Sequence, residues 1–185
     1  MSHRSQGGRA DDRGEAQSAA GTVCQTRGMT WRGVVEPDYF QFYARRGDAA
    51  MPDVSLETYE RRLWTDGRFV VVSTFRKYGT TPVSVDVVAE EPPGPGEEWQ
   101  HIAEVSLEGS EPLEVLSWEV DEGPRSLHEV PAGPLRLRVH WGGLVAGLPE
   151  GMTSQGRSEE HLALVVWPAP TAPFVALREW DGWPW

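Results

Sequence analysis

Short apolar runs bounded by glycine or proline are the feature that most restricts what this chain can fold into. The runs are rich in β-branched and aromatic residues, and 20 glycines and 15 prolines separate them over 185 residues. This spacing is typical of strands joined by tight turns. It predicts strands at residues 31–35, 39–44, 69–75, 83–89, 101–107, 113–120, 126–130, 135–141, 161–167 and 174–180.

Alternation within the runs indicates how the strands are arranged. Val83, Val85 and Val87 alternate with polar residues, which is typical of an antiparallel sheet with one solvated face. Residues 162–167 are apolar on both faces, and this predicts a central strand that is covered above and below. Because no repeated helices separate the strands, the sequence predicts a mainly all-β fold, an antiparallel two-layer β-sandwich.

One short helix is predicted at residues 55–64. Ser55 offers an N-cap oxygen, and Leu56, Tyr59 and Leu63 follow at helical spacing. The segment is short, so tertiary packing must hold it.

The first 28 residues differ in composition from the rest of the chain. They contain almost no large apolar residue, so residues 1–28 are predicted to be a disordered tail and 29–185 a single domain. Met29 directly precedes the first strand, which suggests it as the natural start. The tail lacks the apolar core of a signal peptide, and Cys24 is the single cysteine. These features predict a cytoplasmic protein without an internal disulfide.

The charge of the chain restricts its partners. The net charge is −11, and the tail carries +1, which leaves −12 on residues 29–185. A domain this acidic repels nucleic acid phosphates, so we expect no direct nucleic acid binding. No run approaches membrane-spanning length, so no membrane contact is expected. The acidity fits attraction to a basic protein partner, and it also fits a role in solubility alone.

The residues that usually carry out catalysis are not grouped in this sequence. The five histidines are never at metal-ligand spacing, and there is no nucleophile elbow, phosphate loop or dinucleotide fingerprint. The pairs Glu90–Glu91, Asp121–Glu122 and Glu159–Glu160 lie beside turns, where water screens them, so they are predicted to be solvated surface. We therefore expect no metal, no cofactor and no enzymatic activity.

Nine tryptophans are unusual for this length. Those in or beside predicted elements are expected to pack the core, and they are Trp31, Trp64, Trp99, Trp118, Trp141 and Trp167. Trp180, Trp183 and Trp185 lie at the end of the chain, where they should dock on their own domain or on a partner. A sugar-binding platform of tryptophans is a further alternative.

Two loops and one strand carry further signals. Residues 90–98 combine three prolines and two glycines with four carboxylates, which predicts an acidic hairpin connection. Residues 143–160 are longer than a usual connection and are expected to be disordered or functional. In strand 135–141, Arg136, Arg138 and His140 form a basic face. We expect this face to be solvated and to pair with acidic neighbours, each exposed pair contributing about 0.2–1 kcal/mol.

The order of these segments resembles the ComJ family of small bacterial competence proteins over residues 31–145. In that family an opening strand has a tyrosine and a Gln-Phe pair, and a late strand follows a Pro-x-Gly turn and leads to tryptophan. The matching residues here are Tyr39, Gln41, Phe42, Pro131, Gly133 and Trp141.

The resemblance implies an acidic inhibitor that binds a DNA-entry nuclease, and so a non-enzymatic protein-binding module with a basic nuclease or toxin as partner. The partner-binding residues would then be Glu90, Glu91, Glu97, Glu98, Asp121, Glu122, Trp183 and Trp185. Two alternatives stay open: a sandwich that binds a small ligand or carbohydrate, and a structural subunit of a larger assembly.

Overall fold

The computed structural model describes residues 29–52, 60–117, 125–145 and 159–182. The predicted tail, Trp118, the first half of the predicted helix and most of the 143–160 loop lie outside these residues. The described residues form eleven strands: β1 (Thr30–Val35), β2 (Gln41–Arg46), β3 (Leu63–Thr65), β4 (Phe69–Ser73), β5 (Thr81–Val87), β6 (His101–Leu107), β7 (Leu113–Leu116), β8 (Arg125–His128), β9 (Leu135–Gly142), β10 (His161–Pro168) and β11 (Val175–Arg178).

The strands form two sheets that face each other. The six-stranded sheet has the order β1-β5-β10-β9-β6-β11, and the five-stranded sheet has the order β3-β4-β2-β7-β8. Neighbouring strands are antiparallel except β5 and β10, which run parallel with Leu162 opposite Val83. The chain is therefore the predicted mainly antiparallel β-sandwich, with one parallel pair that the prediction did not include.

The core lies between the sheets and follows from the alternation of the strands. In β5 the valines are buried while Ser84 and Asp86 are half-buried. Phe42 and Val72 of the five-stranded sheet meet Leu137, Val139 and other apolar residues of the six-stranded sheet. Each such buried side chain contributes about 1.5–3 kcal/mol. Strand β10 is central and largely buried, as its apolar faces predict.

The helix predicted at residues 55–64 ends earlier than expected, at residue 61. Residues 60 and 61 are helical, and Arg62 has a φ of 61°, a left-handed conformation that commonly ends a helix. Leu63 and Trp64 belong instead to β3, which pairs with β4. The prediction that they are helical is wrong, because the end of this segment pairs with β4 as an added edge strand.

The tryptophans do not all pack the core. Trp141 is fully buried between the sheets, and Trp31 packs against the same cluster. Trp64 packs on a smaller apolar cluster around Tyr43 and Phe69. Trp99 and Trp167, however, contact residues of β9 that point away from the space between the sheets. Trp167 is buried, as predicted, but on the outer face of the six-stranded sheet, and Trp99 is half-buried there, so neither packs between the sheets.

Among the described residues, no helix has the length and apolar character needed to cross a membrane.

Candidate functional site

The outer face of the six-stranded sheet carries the basic residues of β9. Arg136, Arg138 and His140 point away from the core, as their alternation with buried leucines requires. They are nevertheless buried, with exposed fractions of 5%, 3% and 6%. The expectation of a solvated face is therefore wrong here, because other segments of the chain cover it.

Glu104 of β6 binds both arginines. It lies opposite Arg138 in the sheet, and its two carboxylate oxygens accept from Arg138 Nε at 2.6 Å and from Arg136 Nη2 at 2.9 Å. Arg136 also donates to the carbonyls of Ala172 and Pro173. The predicted pairing with acidic neighbours is thus observed, but as a buried network rather than as exposed pairs.

The acidic loop, residues 88–100, lies across this face. Arg138 Nη1 donates to the carbonyls of Pro92 at 3.3 Å and Pro93 at 3.1 Å, and its Nη2 donates to the Glu91 carboxylate at 3.1 Å. Arg178 of β11 donates to the Gly96 carbonyl at 3.0 Å. Two arginines of the six-stranded sheet, Arg138 and Arg178, therefore bind the loop at two separate points.

Trp99 fixes the end of the acidic loop. Its ring lies 5.2 Å from the ring of His140 and 5.3 Å from that of His161. Gly142 lies beneath these rings, where an added Cβ would be 2.6 Å from His161 and 3.2 Å from Trp99. Burial lowers the pKa of His140, so this ring is neutral at physiological pH.

The predicted partner-binding residues divide into two groups. Glu90, Glu91, Glu97 and Glu98 are all exposed on the acidic loop. Glu91 is the one whose carboxylate Arg138 also binds. Asp121, Glu122, Trp183 and Trp185 lie outside the described residues, so their role stays a prediction.

The C-terminal segment docks on the domain as far as Trp180. The Trp180 backbone N–H donates to His101 Nδ1 at 3.3 Å, and its ring meets Phe75 edge-on at 5.7 Å. Burial, reinforced by the charge of Arg62, lowers the pKa of His101 to about 4.

Glu160 differs from the prediction for the Glu159–Glu160 pair. Glu159 is exposed, but Glu160 is 1% exposed, and its two oxygens accept the backbone N–H groups of Phe75 at 2.6 Å and Arg76 at 3.0 Å. Burial raises the pKa of Glu160 to about 7, although these two hydrogen bonds act to lower it. The expectation of a solvated residue is wrong for Glu160, which joins the loop after β4 to the start of β10.

Pockets on the described surface include one beside β3 and one beside Trp99. One of about 280 Å³ lies beside β3 and is lined by Trp64, Phe174 and Arg61, whose guanidinium lies 5.4 Å from the Phe174 ring centre. The other, of about 350 Å³, includes Trp99 and His161. Each has one tryptophan in its described lining, whereas the carbohydrate alternative requires several. Among the described residues, no group of three or more histidine, cysteine or acidic side chains is placed to hold a metal.

Comparison with known proteins shows a similarity in fold to solved structures, but none in sequence to a protein family. No protein-family model matches the sequence, and no curated protein matches it. A solved structure does match: ComJ from Bacillus subtilis, an inhibitor of the DNA degrading activity of NucA. The TM-score is 0.58 at 12% identity, over 77% of this chain and 98% of ComJ.

This chain is similar in fold to ComJ. A second structure, described as crocagin biosynthetic gene J, matches with a TM-score of 0.53 at 10% identity, over 77% of this chain and 99% of that one. The resemblance to ComJ expected from the sequence is thereby confirmed at the level of the fold.

Proposed function

We propose that this protein is a non-enzymatic binding module that inhibits a basic nuclease or a similar basic toxin. The observation that carries the proposal is the acidic loop, which presents exposed carboxylates on a face of the sandwich where the buried Arg138 and the half-buried Arg178 hold its backbone. The similarity in fold to ComJ, an inhibitor of the DNA degrading activity of NucA, supports the same proposal.

The electrostatics of a nuclease explain why such a surface would inhibit it. A nuclease presents cationic residues to DNA phosphates, and an acidic partner can occupy the same residues. Complementary charge accelerates association. Because Arg138 and Arg178 hold backbone carbonyls of the loop, its backbone would lose little conformational freedom on binding, which reduces the cost of association.

The proposal assigns partner contacts to Glu90, Glu97 and Glu98, and a mainly structural role to Glu91. Asp121, Glu122, Trp183 and Trp185 belong to the proposed contact set on sequence grounds alone. The proposed cellular location is the cytoplasm, and the proposed mode of action involves no metal or cofactor.

The test is capture of the partner with the tagged full-length chain from a lysate of the source organism. Bound proteins are eluted first at low and then at moderate salt, identified by mass and assayed for DNA degradation. A basic nuclease that elutes as salt rises, and that the purified chain inhibits at equimolar ratio, is the expected result. Recovery of no protein, or of an acidic protein that resists the salt wash, would overturn the proposal.

A further inference from the structure

The turn between β1 and β2 has an unusual conformation for its residues. Asp38 and Gln41 exchange two backbone hydrogen bonds, at 3.0 and 3.2 Å, around Tyr39 and Phe40. Tyr39 has a φ of 47° and Phe40 a φ of 68°. A two-residue turn with both central residues at positive φ matches type I′, which strongly prefers Asn-Gly.

Two bulky aromatic residues make this turn costly. A left-handed conformation costs a residue with a Cβ roughly 1–2 kcal/mol, and asparagine or glycine would reduce that cost. Burial does not explain the choice of Tyr39, whose side chain is 57% exposed. Strained backbone at a residue whose exposure gives it little burial commonly marks a functional position.

The turn is part of an aromatic surface, which we define as Tyr39, Phe40, Lys77 and Tyr78. The Tyr39 and Tyr78 rings meet edge-on at 5.7 Å, and Tyr78 is 38% exposed. Lys77 Nζ lies 5.1 Å from the ring centre of Tyr39, 5.5 Å from that of Tyr78 and 5.8 Å from that of Phe40. The ammonium group thus orders three rings through cation–π contacts.

The fold holds this surface in place. Thr74 donates its backbone N–H to the Phe40 carbonyl at 2.7 Å, and Phe40 donates to the Lys77 carbonyl at 3.4 Å. The buried carboxylate of Glu160 binds the two residues just before Lys77. Exposed tyrosines on a fixed backbone provide a large contact area at low entropic cost, and tyrosine is enriched at binding hot spots.

At the aromatic surface the carboxylates of Glu36 and Asp38 outnumber the one ammonium group, that of Lys77, and this balance favours a basic partner. Glu36 is exposed and Asp38 half-buried at the start of the turn.

The aromatic surface is linked to the acidic loop through the start of β10. The His161 ring lies 5.3 Å from the ring of Trp99, at the end of the loop, and the neighbouring Glu160 accepts the backbone N–H groups of Phe75 and Arg76, which precede Lys77.

We infer that the aromatic surface is the apolar anchor of the same interface as the acidic loop and binds the basic nuclease of the proposed function. The inference rests on that function. The acidic loop would accelerate association, while the rings of the aromatic surface, once buried against the partner, would slow dissociation.

The test replaces the strained pair with the sequence that the turn prefers, Tyr39→Asn with Phe40→Gly. We measure thermal unfolding, together with the DNA-degrading activity that the tagged chain captures from lysate and releases at moderate salt. We expect a melting temperature raised by a few degrees and an affinity for the captured nuclease reduced about tenfold or more. Val175→Asn is the control, since it removes an exposed apolar side chain from β11 and should leave capture unchanged.

A second variant, Tyr78→Ser, leaves the turn backbone untouched and should also reduce the affinity. If both variants bind the nuclease as tightly as the wild type, the inference is overturned while the proposed function stands. If the wild type captures no nuclease, the proposed function fails and this docking surface fails with it. A loss of binding in Tyr78→Ser at unchanged melting temperature supports the inference even if the double variant is less stable.

Discussion

Glu104 is the residue on which the covered face of the six-stranded sheet depends. It neutralises Arg136 and Arg138 at 2.9 and 2.6 Å, with all three side chains nearly buried. Glu104→Gln keeps the size but removes the charge, leaving two guanidinium groups buried without a carboxylate between them. We expect a loss of about 3–5 kcal/mol in the free energy of unfolding, measured by urea denaturation.

The control for this prediction is Glu108→Gln. Glu108 is exposed and accepts a hydrogen bond from Thr171. Its replacement should change the free energy of unfolding by about 0.5 kcal/mol or less. Equal losses in the two variants would contradict a stabilising role for the buried network.

His101 should make the stability depend on pH. Its folded-state pKa of about 4 is below the ordinary value of 6.5, so the unfolded chain binds the proton first as pH falls. The free energy of unfolding should therefore fall between pH 6.5 and pH 4, with no further contribution from His101 below that. The measurement is urea denaturation across this range.

Comparison with His101→Gln isolates this contribution. His128 and His140, whose pKa values burial also lowers, contribute equally to both proteins, as does Glu160 with the opposite sign. The variant should lose stability less steeply as pH falls. An identical pH dependence in the two proteins would exclude His101 as a cause.

At the scale of elements, the turn after β9 depends on Gly143. Its φ is 68°, and an added Cβ would lie 2.1 Å from the carbonyl oxygen of Glu159. Gly143→Ala should therefore reduce the free energy of unfolding by about 1–3 kcal/mol, because it combines backbone strain with a steric clash. Gly94→Ala, where a Cβ meets nothing within 4 Å, should have little effect in the same denaturation experiment. An equally small change in both variants would show that the clash at Gly143 is relieved without cost.

Most strands could be predicted from alternation, and the exceptions have physical reasons. β3 was missed because it has three residues and follows a segment with helical spacing. The parallel pairing of β5 and β10 was missed because alternation reveals which face of a strand is buried, not which strand lies beside it. The burial of the basic face of β9 was missed because its arginines bind backbone carbonyls of loops. Every residue has a backbone carbonyl, so the sequence does not indicate which of them an arginine will bind.

The candidate site was predictable in part. The acidic loop was predicted from composition, but the prediction that it connects a hairpin is wrong, because β10 and β9 lie between β5 and β6. Its attachment to Arg138 and Arg178 requires contacts between residues distant in sequence. The aromatic turn was missed because Tyr39 and Phe40 begin an aromatic run that predicts a strand at 39–44. The preceding Pro37-Asp38 pair is a turn signal that could have separated them.

At the scale of the whole molecule, the acidic loop should determine how fast the partner binds. Replacement of Glu90, Glu97 and Glu98 with lysine should slow association with the captured nuclease by about tenfold or more at low salt, and the difference should shrink as salt screens the charges. Glu91 is left unchanged because Arg138 binds it. The measurement is the association rate constant on immobilised protein.

The matched control replaces Glu60, Glu108 and Glu129 with lysine. These residues are also exposed, and the change in net charge is the same. A slower association caused by the loop residues alone would assign steering to that surface. Equal slowing by both sets would mean that only overall charge matters, and an unchanged rate for the loop variant at low salt would exclude the loop from the encounter.

The position of β10, parallel to β5 and between β5 and β9, also affects how the chain folds while the ribosome synthesises it. β10 fills the gap between β5 and β9, yet it is synthesised after both of them. Until it emerges, the nascent chain has two partial sheets, and both β5 and β9 have an open edge able to pair with other chains. Chains that stall before β10 should therefore aggregate or require a chaperone, and folding should be slow because the closing strand contacts residues far back in the sequence.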